Sequence, residues 1–366
     1  MNTYKITDIF LTSEKVSEGF EPFLTKEEPD GDVIKVNLIS ECPQPDNGSR
    51  PVQTKNFSVF PKKDGSWLFI SANADMRMLI SSDYLNASLY CGQDDDTELS
   101  LLLRIAIECR MILRGNISLH SACIEKDGIA LNFSGVSGVG KSTRAGRWVE
   151  ALGFQLLSGD RPAIMTAEGI ACGAPWDGKE GIHRNIKRPI KMIFDIRRAP
   201  FVRARKVTET QAYAFLVKQI FIPMWDSQTT MYAFMNLRRL IRNVPVCRLF
   251  CPPDCDGAKA AYEIIFNNTQ NILTEDKDMK IKDEFIVRNM LGDYMAIPTG
   301  DNIAKFDGSV ILNEVSAFII EQLKKPTSKE DVLELILAEY EVSREQASAD
   351  LDALLAKLDS YGMLEY

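Results

Sequence analysis

The sequence predicts an α/β fold in three blocks, and three observations carry that reading. A glycine-rich string at 135–142, ending in a lysine and a serine, sits between a strand-like run and a helix-like run. Short apolar runs alternate with turn signals across 116–270, as in a sheet with buried strands. Beyond 271, two strand-like runs give way to apolar residues recurring every three or four positions, the spacing of helices packed on a core.

The first block, 1–115, reads as a mixed β/α region of unassigned role. Pro and Gly residues mark turns at 41–51, and 57–60 and 67–71 look like strands of a small antiparallel sheet. Residues 97–114 carry apolar side chains at helical spacing and predict a packed helix leading into the second block. The most apolar stretch, 101–113, is interrupted by Arg104, Glu108 and Arg110, so it is no bilayer span. Met1-Asn2-Thr3-Tyr4-Lys5 lacks the basic region and apolar run of a signal peptide, which leaves a cytoplasmic location and no membrane partner as the expectation.

The second block, 116–270, opens with strand-like runs at 117–124 and 128–133 joined by Lys126-Asp127-Gly128, a hairpin-like turn. The string that follows, Gly135-Val136-Ser137-Gly138-Val139-Gly140-Lys141-Ser142, has the form G-x-x-x-x-G-K-S. Glycines permit backbone conformations in which successive N–H groups point at a phosphate, and the helix beginning near Thr143 adds its positive dipole end. Lys141 supplies a point charge for the outer phosphates and Ser142 a hydroxyl for Mg²⁺. Residues 153–160 read as an apolar strand ending in Asp160, where an acid that binds metal or takes a proton belongs. Further strand-like runs lie at 163–165, 190–196 and 246–250.

Charge is unevenly placed along this chain of 366 residues and net charge −8: residues 271–366 hold 20 acidic and 10 basic side chains, against 31 and 33 elsewhere. An acidic tail argues against a nucleic-acid partner. Basic residues concentrate at Arg184, Lys187, Arg188, Lys191, Arg197, Arg198, Arg203, Arg205 and Lys206, either as a solvated face or as phosphate and substrate contacts. Cys247, Cys251 and Cys255 lack C-x-x-C spacing and a nearby histidine, which argues against a metal cluster. With only His120 and His183, a histidine-rich metal site is excluded.

The third block, 271–366, begins with strand-like runs at 284–290 and 293–298 joined at Leu291-Gly292. Helices follow at 313–323, 328–340 and 343–361, the latter two opened by capping boxes from Ser328 to Asp331 and from Ser343 to Gln346. A hairpin plus three helices fits a small winged-helix domain.

At His120, 135–142 and Asp160 the second block resembles the HPr kinase family, bacterial Ser kinases whose fold is related to phosphoenolpyruvate carboxykinase. That family places a histidine on the strand before the phosphate loop, where Leu119-His120-Ser121-Ala122 stands, and carries the string G-x-S-G-x-G-K-S. The resemblance implies ATP held by Gly135, Val136, Ser137, Gly138, Val139, Gly140, Lys141, Ser142 and Thr143, with Mg²⁺ on Ser142 and Asp160. It implies catalytic roles for Asp160, His120 and Lys141, and assembly of copies into a homo-oligomeric ring. One departure stands out. The family ends its next strand with two aspartates, whereas this chain has Ser158-Gly159-Asp160-Arg161, with Gly159 in the first place. The base is therefore open among Asp160, His120, Asp177 and Glu180, and His120 also reads as a hydrogen-bonded core residue. Gly173-Ala174-Pro175-Trp176-Asp177-Gly178-Lys179-Glu180 is similar to a segment of HPr-kinase-like proteins found beside peptide-modifying enzymes. That similarity marks Trp176, Lys179 and Glu180 as substrate contacts, and phosphoryl-transfer chemistry gives Arg161 or Lys179 the role of offsetting charge on the transferred group.

The third block resembles PqqD-type peptide-recognition domains, most tellingly at 311–323, with the pattern continuing through 331–345 and 351–364. Such domains, known as RiPP recognition elements, bind the leader of a ribosomally made precursor peptide by adding it as a strand to a hairpin edge. A DNA-binding winged helix is the alternative, and the acidic balance opposes it. Together the resemblances imply a kinase acting on a Ser or Thr of a precursor peptide, alongside a peptide-modifying partner enzyme. A nucleotide-binding scaffold without transfer and a small-molecule kinase remain as alternatives.

Overall fold

Alternating apolar residues build the first sheet. In a computed structural model, which describes residues 1–73, 75–176, 181–267, 278–290, 293–298 and 310–365, its strands are β1 (Asn2–Ile6), β2 (Ile9–Ser13), β3 (Val33–Ile39), β4 (Val52–Gln53), β5 (Phe57–Pro61), β6 (Trp67–Ser71), β7 (Met76–Ile80) and β8 (Asn86–Cys91). They lie in the order β1-β2-β3-β8-β7-β6-β5-β4. The small antiparallel sheet expected here is thus larger, and it is mixed, because β3 pairs parallel with both β2 and β8. Polar residues on β1 and β4 hide those edge strands from a pattern search, and parallel neighbours far apart in sequence leave no hairpin signal. Met76, Met78 and Ile80 turn inward with Phe57 and Val59. Helix α1 (Asp96–Leu113), capped by Asp95 accepting from the Glu98 N–H, covers that face with Leu99, Leu102, Leu103 and Ala106.

The second sheet holds the glycine-rich loop. Its elements are β9 (Asn116–Ser118), β10 (Ser121–Lys126), β11 (Ile129–Ser134), α2 (Lys141–Leu152), β12 (Gln155–Ser158), β13 (Ala163–Met165), β14 (Ile170–Cys172), β15 (Lys187–Arg198), β16 (Arg203–Lys206), α3 (Glu209–Leu216), α4 (Ser227–Asn243), β17 (Val246–Cys251) and α5 (Cys255–Tyr262). The order is β12-β10-β11-β15-β14-β13-β9, with β17 on β15 and β16 on β17. β11, β15 and β17 run parallel at its centre. Phe133, Trp148, Phe154 and Phe194 fill one face beneath α2 and α5. Ile193, Leu216, Leu237 and Leu240 fill another core with α3 and α4. The β10–β11 hairpin closes with Asp127 and Gly128 both at positive φ, +50° and +81°, the backbone a two-residue turn requires. The single strand expected at 117–124 is broken in two at Leu119 and His120, since β9 pairs with β13 while β10 pairs with β11 and β12.

The two sheets belong to one compact unit, Met1–Arg198 with Val202–Leu273; the other is Ala199–Phe201 with Thr274–Tyr366. Inside the first unit, buried Tyr84 donates to Asp226 Oδ2 at 2.9 Å and accepts from Trp225 Nε1 at 3.2 Å. Asp226 also caps α4 by accepting from the N–H groups of Gln228 and Thr229. Removing the phenol hydroxyl leaves both partners short of a bond. Tyr84→Phe is therefore expected to destabilise this unit by about 1–3 kcal/mol, read as a lower urea midpoint with an unchanged slope.

The second unit contains β18 (Asp278–Ile281), β19 (Phe285–Met290), β20 (Asp293–Pro298), β21 (Val310–Leu312), α6 (Glu314–Gln322), β22 (Thr327–Ser328), α7 (Lys329–Glu339), α8 (Arg344–Ser360) and β23 (Leu364–Glu365). The expected hairpin is β19–β20, extended by β21 into a three-stranded sheet, and β22-β18-β23 form another. Ile319, Leu323, Val332, Ile336, Leu351 and Leu358 make the core between the three helices. Ser328 and Ser343 cap α7 and α8 as the spacing predicts, each accepting from the N–H three residues on. No described helix is long and apolar enough to cross a membrane.

Candidate functional site

The turn from β11 into α2 needs its glycines for identifiable reasons. Gly138 and Gly140 have φ of +79° and +98°, in the left-handed region that L side chains avoid. A Cβ on Gly140 would stand 2.8 Å from Arg144 Nη1, and one on Gly135 2.8 Å from Val139 Cγ1. Cations hold the loop from behind. Arg144, 2% exposed, donates from Nη1 to the Val139 carbonyl at 2.8 Å, from Nη2 to the Cys251 carbonyl at 2.7 Å and from Nε to Cys251 Sγ at 3.1 Å. Arg198 Nη2 donates to the Gly138 carbonyl at 2.5 Å, and Lys141 Nζ to that of Gly135 at 3.3 Å. The start of α2 has neither a side-chain cap nor an acidic residue in its first turn. Its leading N–H groups, on Lys141, Ser142 and Thr143, have no partner within the helix. A backbone cradle, an ammonium and a hydroxyl at an uncapped helix start suit a phosphate chain with its cation.

The break between β9 and β10 places His120 beside that loop. Its N–H donates to the Gln219 carbonyl at 2.7 Å and its own carbonyl accepts from Ser134 Oγ at 2.9 Å, so the residue is pinned to the last position of β11. The ring Nε2 lies 3.7 Å from Asp160 Oδ1. Asp160 lies past the end of β12, which stops at Ser158, two residues short of the expected strand end. A corner follows: Arg161 has φ of +52°, Pro162 comes next, and the Arg161 carbonyl accepts from Trp176 Nε1 at 2.9 Å. Arg161 Nη1 is buried without a hydrogen-bond partner. Burial, countered by Asp160 and aided by Arg161, lowers the Lys141 pKa. The His120 pKa is pushed below its ordinary 6.5 by burial first and by Lys141 next, against the pull of Asp160. His120, Lys141, Asp160 and Arg161 thus form one electrostatically linked group.

That arrangement has a pH consequence. A histidine whose folded pKa is depressed contributes stability that is fully present above its unfolded value and is lost as pH falls through its folded value. With two histidines in the chain, the imidazole resonances separate readily by NMR. His120 is expected to titrate with a midpoint below 6.5, and Lys141→Ala to move that midpoint up, because a repelling charge is removed. A midpoint unmoved by the substitution would place the ammonium too far away to matter.

Trp176, expected at the substrate, is 4% exposed and acts as a prop beneath the Arg161 carbonyl. Lys179 and Glu180, with Asp177, lie outside the described residues. Val136 is exposed at the loop tip. The basic stretch is mostly committed to structure: Arg184 and Arg188 pair with Glu125, Arg197 with Asp195, and Lys187 with the Thr7 carbonyl. Of the pairings described here, only Arg198 reaches the loop. Cys247 and Cys251 are buried on β17, and Cys255 begins α5. Sequence reasoning missed Arg144, whose signal was a cation on the apolar face of α2 beside Ala145 and Trp148, and Gln219, which carried none.

Comparison with known proteins places a family match in the second unit. Residues 305–364 match the family described as Coenzyme PQQ synthesis protein D (PqqD). No curated protein matches the chain. Among solved structures, the chain is similar to "TbiB1 in Complex with the TbiA(beta) Leader Peptide", at 23% identity over 24% of this chain and 94% of that one, with a TM-score of 0.21. It is also similar to "Lasso peptide synthetase B1 complexed with the leader peptide", at 25% identity over 24% of this chain and 99% of that one, again with a TM-score of 0.21.

Proposed function

We propose that this chain is an ATP-dependent kinase that phosphorylates a Ser or Thr hydroxyl of a ribosomally made precursor peptide, held by its leader on residues 271–366. The convergence of Lys141, His120, Asp160 and Arg161 on the loop carries the reading. The backbone from Gly135 to Thr143 and the Lys141 ammonium hold the phosphates, while Ser142 and Asp160 supply oxygens for Mg²⁺. Held there, Mg²⁺ would supply charge neutralisation for the phosphoryl group. His120, kept neutral by burial and by Lys141, takes the proton of the acceptor hydroxyl, and Asp160 orients its ring. Arg161 turns its unpartnered Nη1 to the charge that develops. Gly159 stands where the resembled family has its first aspartate, which is why the proton goes to His120 here.

The PqqD match at 305–364 supports the peptide half of the reading. The leader adds as a strand at β19, whose outer edge has no strand partner among the described residues. Tethering raises the local concentration of the acceptor without a tight fit at the reacting group. The test is incubation of the intact chain with precursor peptides encoded beside it, Mg²⁺ and ATP, followed by mass spectrometry. Phosphopeptide formed by the wild type and lost in Lys141→Ala is the expected result; its absence with every such peptide sinks the proposal.

Gly159 also favours a second reading, a scaffold that binds nucleotide and presents peptide without transfer. ATP turnover in the wild type that disappears in both Lys141→Ala and Asp160→Ala argues against it. A kinase for free serine is separated from both readings by removing 271–366, since such an enzyme keeps its activity.

A further inference from the structure

A cavity of about 450 Å³ opens between Ser17, Glu18 and Gly19 in the connection from β2 to β3, the start of α1 and the Trp176 region. Four of its lining side chains carry buried polar atoms without a hydrogen-bond partner: Ser17 Oγ, Glu98 Oε2, Arg104 Nε and His183 Nδ1. Ser17 is 3% and Glu98 4% exposed. Leaving one such atom unpaired costs about 1–3 kcal/mol. Arg104 Nε is a donor that faces Glu108, whereas Glu98 Oε2 and Ser17 Oγ can accept, and those two buried atoms are the demand an occupant with donors would meet.

The charge of the lining says which kind. Glu98 sits in the floor with only Asn73 Nδ2 on its other oxygen, at 2.7 Å. Glu18 and Asp96 stand exposed at the mouth. Arg104 is the lining cation, and it faces Glu108 on the next helical turn at 3.7 Å. Glu98 and Glu18 form no ion pair among the described residues, and Asp96 feels only the more distant charge of Lys15, whose own ion pair is with Asp94. Crowding is felt at Asp96, whose carboxyl is pushed up by burial and by Glu18, Asp94 and Asp95. The volume suits one small ligand or one long side chain.

We propose that this cavity is a binding site for a primary ammonium group, which Glu98 receives in the floor and Glu18 and Asp96 attract at the mouth. The ligand chemistry is that of a lysine side chain or a free alkyl amine. Its wall includes Trp176, whose indole N–H supports the Arg161 carbonyl, so an occupant rests against the prop of the phosphate-loop group. The site stands on the cavity alone and is independent of whether phosphate is transferred.

Calorimetry on the full chain tests it, with Nα-acetyl-lysine amide as the peptide-borne probe, 1,4-diaminobutane as the free amine and Nα-acetyl-norleucine amide as the uncharged control. Saturable binding of either amine is expected, weakening with salt, at least tenfold weaker in Glu98→Gln and undetectable for the norleucine control. Preference for the acetylated lysine assigns the site to a peptide side chain; preference for the diamine assigns it to a metabolite. Should Glu98→Gln fail to fold, the mouth variant Glu18→Gln with Asp96→Asn carries the test, with a severalfold loss expected. Binding of neither amine, equal binding of the neutral control, or amine binding undiminished in whichever of these variants folds overturns the proposal.

Discussion

Replacing Lys141 by alanine is expected to lower phosphoryl transfer by on the order of 10²–10³-fold while leaving the fold intact. The ammonium is half-buried, donates to the Gly135 carbonyl at 3.3 Å and is drawn down in pKa by burial and by Arg161, with Asp160 holding it up. Its desolvation is costly in the free chain and is offset when phosphate arrives, so the loss falls on binding and transfer. Stability should hardly change, because the truncated side chain releases a desolvated charge and forfeits one long hydrogen bond. Lys141→Arg is expected to fail as well, since a planar fork does not reproduce a compact point charge beside a glycine loop. Single-turnover rates and thermal midpoints measured together check this: a fall in both by unfolding, or in neither, contradicts the assignment.

The largest effect on stability is expected at Arg144. Its guanidinium makes three bonds in a site 2% exposed, joining Val139 in the loop to the carbonyl and thiol of Cys251 at the end of β17. Arg144→Ala takes a donor from the Cys251 carbonyl, leaves the Val139 carbonyl with Arg198 Nε at 3.3 Å as its side-chain donor, and opens a void beside Gly140, where the Nη1 atom is the nearest neighbour a Cβ would meet. A cost of about 3–5 kcal/mol follows, as when a buried charged network loses its centre. Arg144→Lys recovers little, because one ammonium cannot serve acceptors on both the loop and β17. Because the Val139 carbonyl loses its shorter bond and keeps only the 3.3 Å one from Arg198, nucleotide affinity should fall in the variant even at temperatures where it remains folded. Urea unfolding gives the first quantity and nucleotide titration the second.

Much of the central site was legible because its signals are local. The loop, its strand and its helix are contiguous, and each glycine answers to a positive φ or a contact a Cβ would make. Roles for His120 and Asp160 came only from family resemblance, and their approach to each other was not legible, since the break that turns His120 toward the loop depends on β9 and β10 choosing different neighbours. The first sheet was underread for the same reason: β3 pairs Val33 with Phe10 and Lys35 with Asn86, partners far away in the chain that leave no trace in its own sequence. Helices α6, α7 and α8 were read nearly to the residue, because Asn313, Ser328 and Ser343 announce their starts. Arg144 escaped, and Arg198 was named in the basic stretch without its bond to the loop, for a cation that bonds carbonyls looks the same in sequence as one that meets water.

The central claim is that the loop and the His120–Asp160 group form one phosphotransfer centre serving a peptide hydroxyl. The most direct measurement follows the label of [γ-³²P]ATP in a single turnover by the intact chain with its precursor peptide. The expected result is an acid-stable, alkali-labile phosphoester on a Ser or Thr of the peptide, formed only when Lys141 is present. Label released solely as orthophosphate, or held as an acid-labile phosphoramidate on the chain itself, would contradict it.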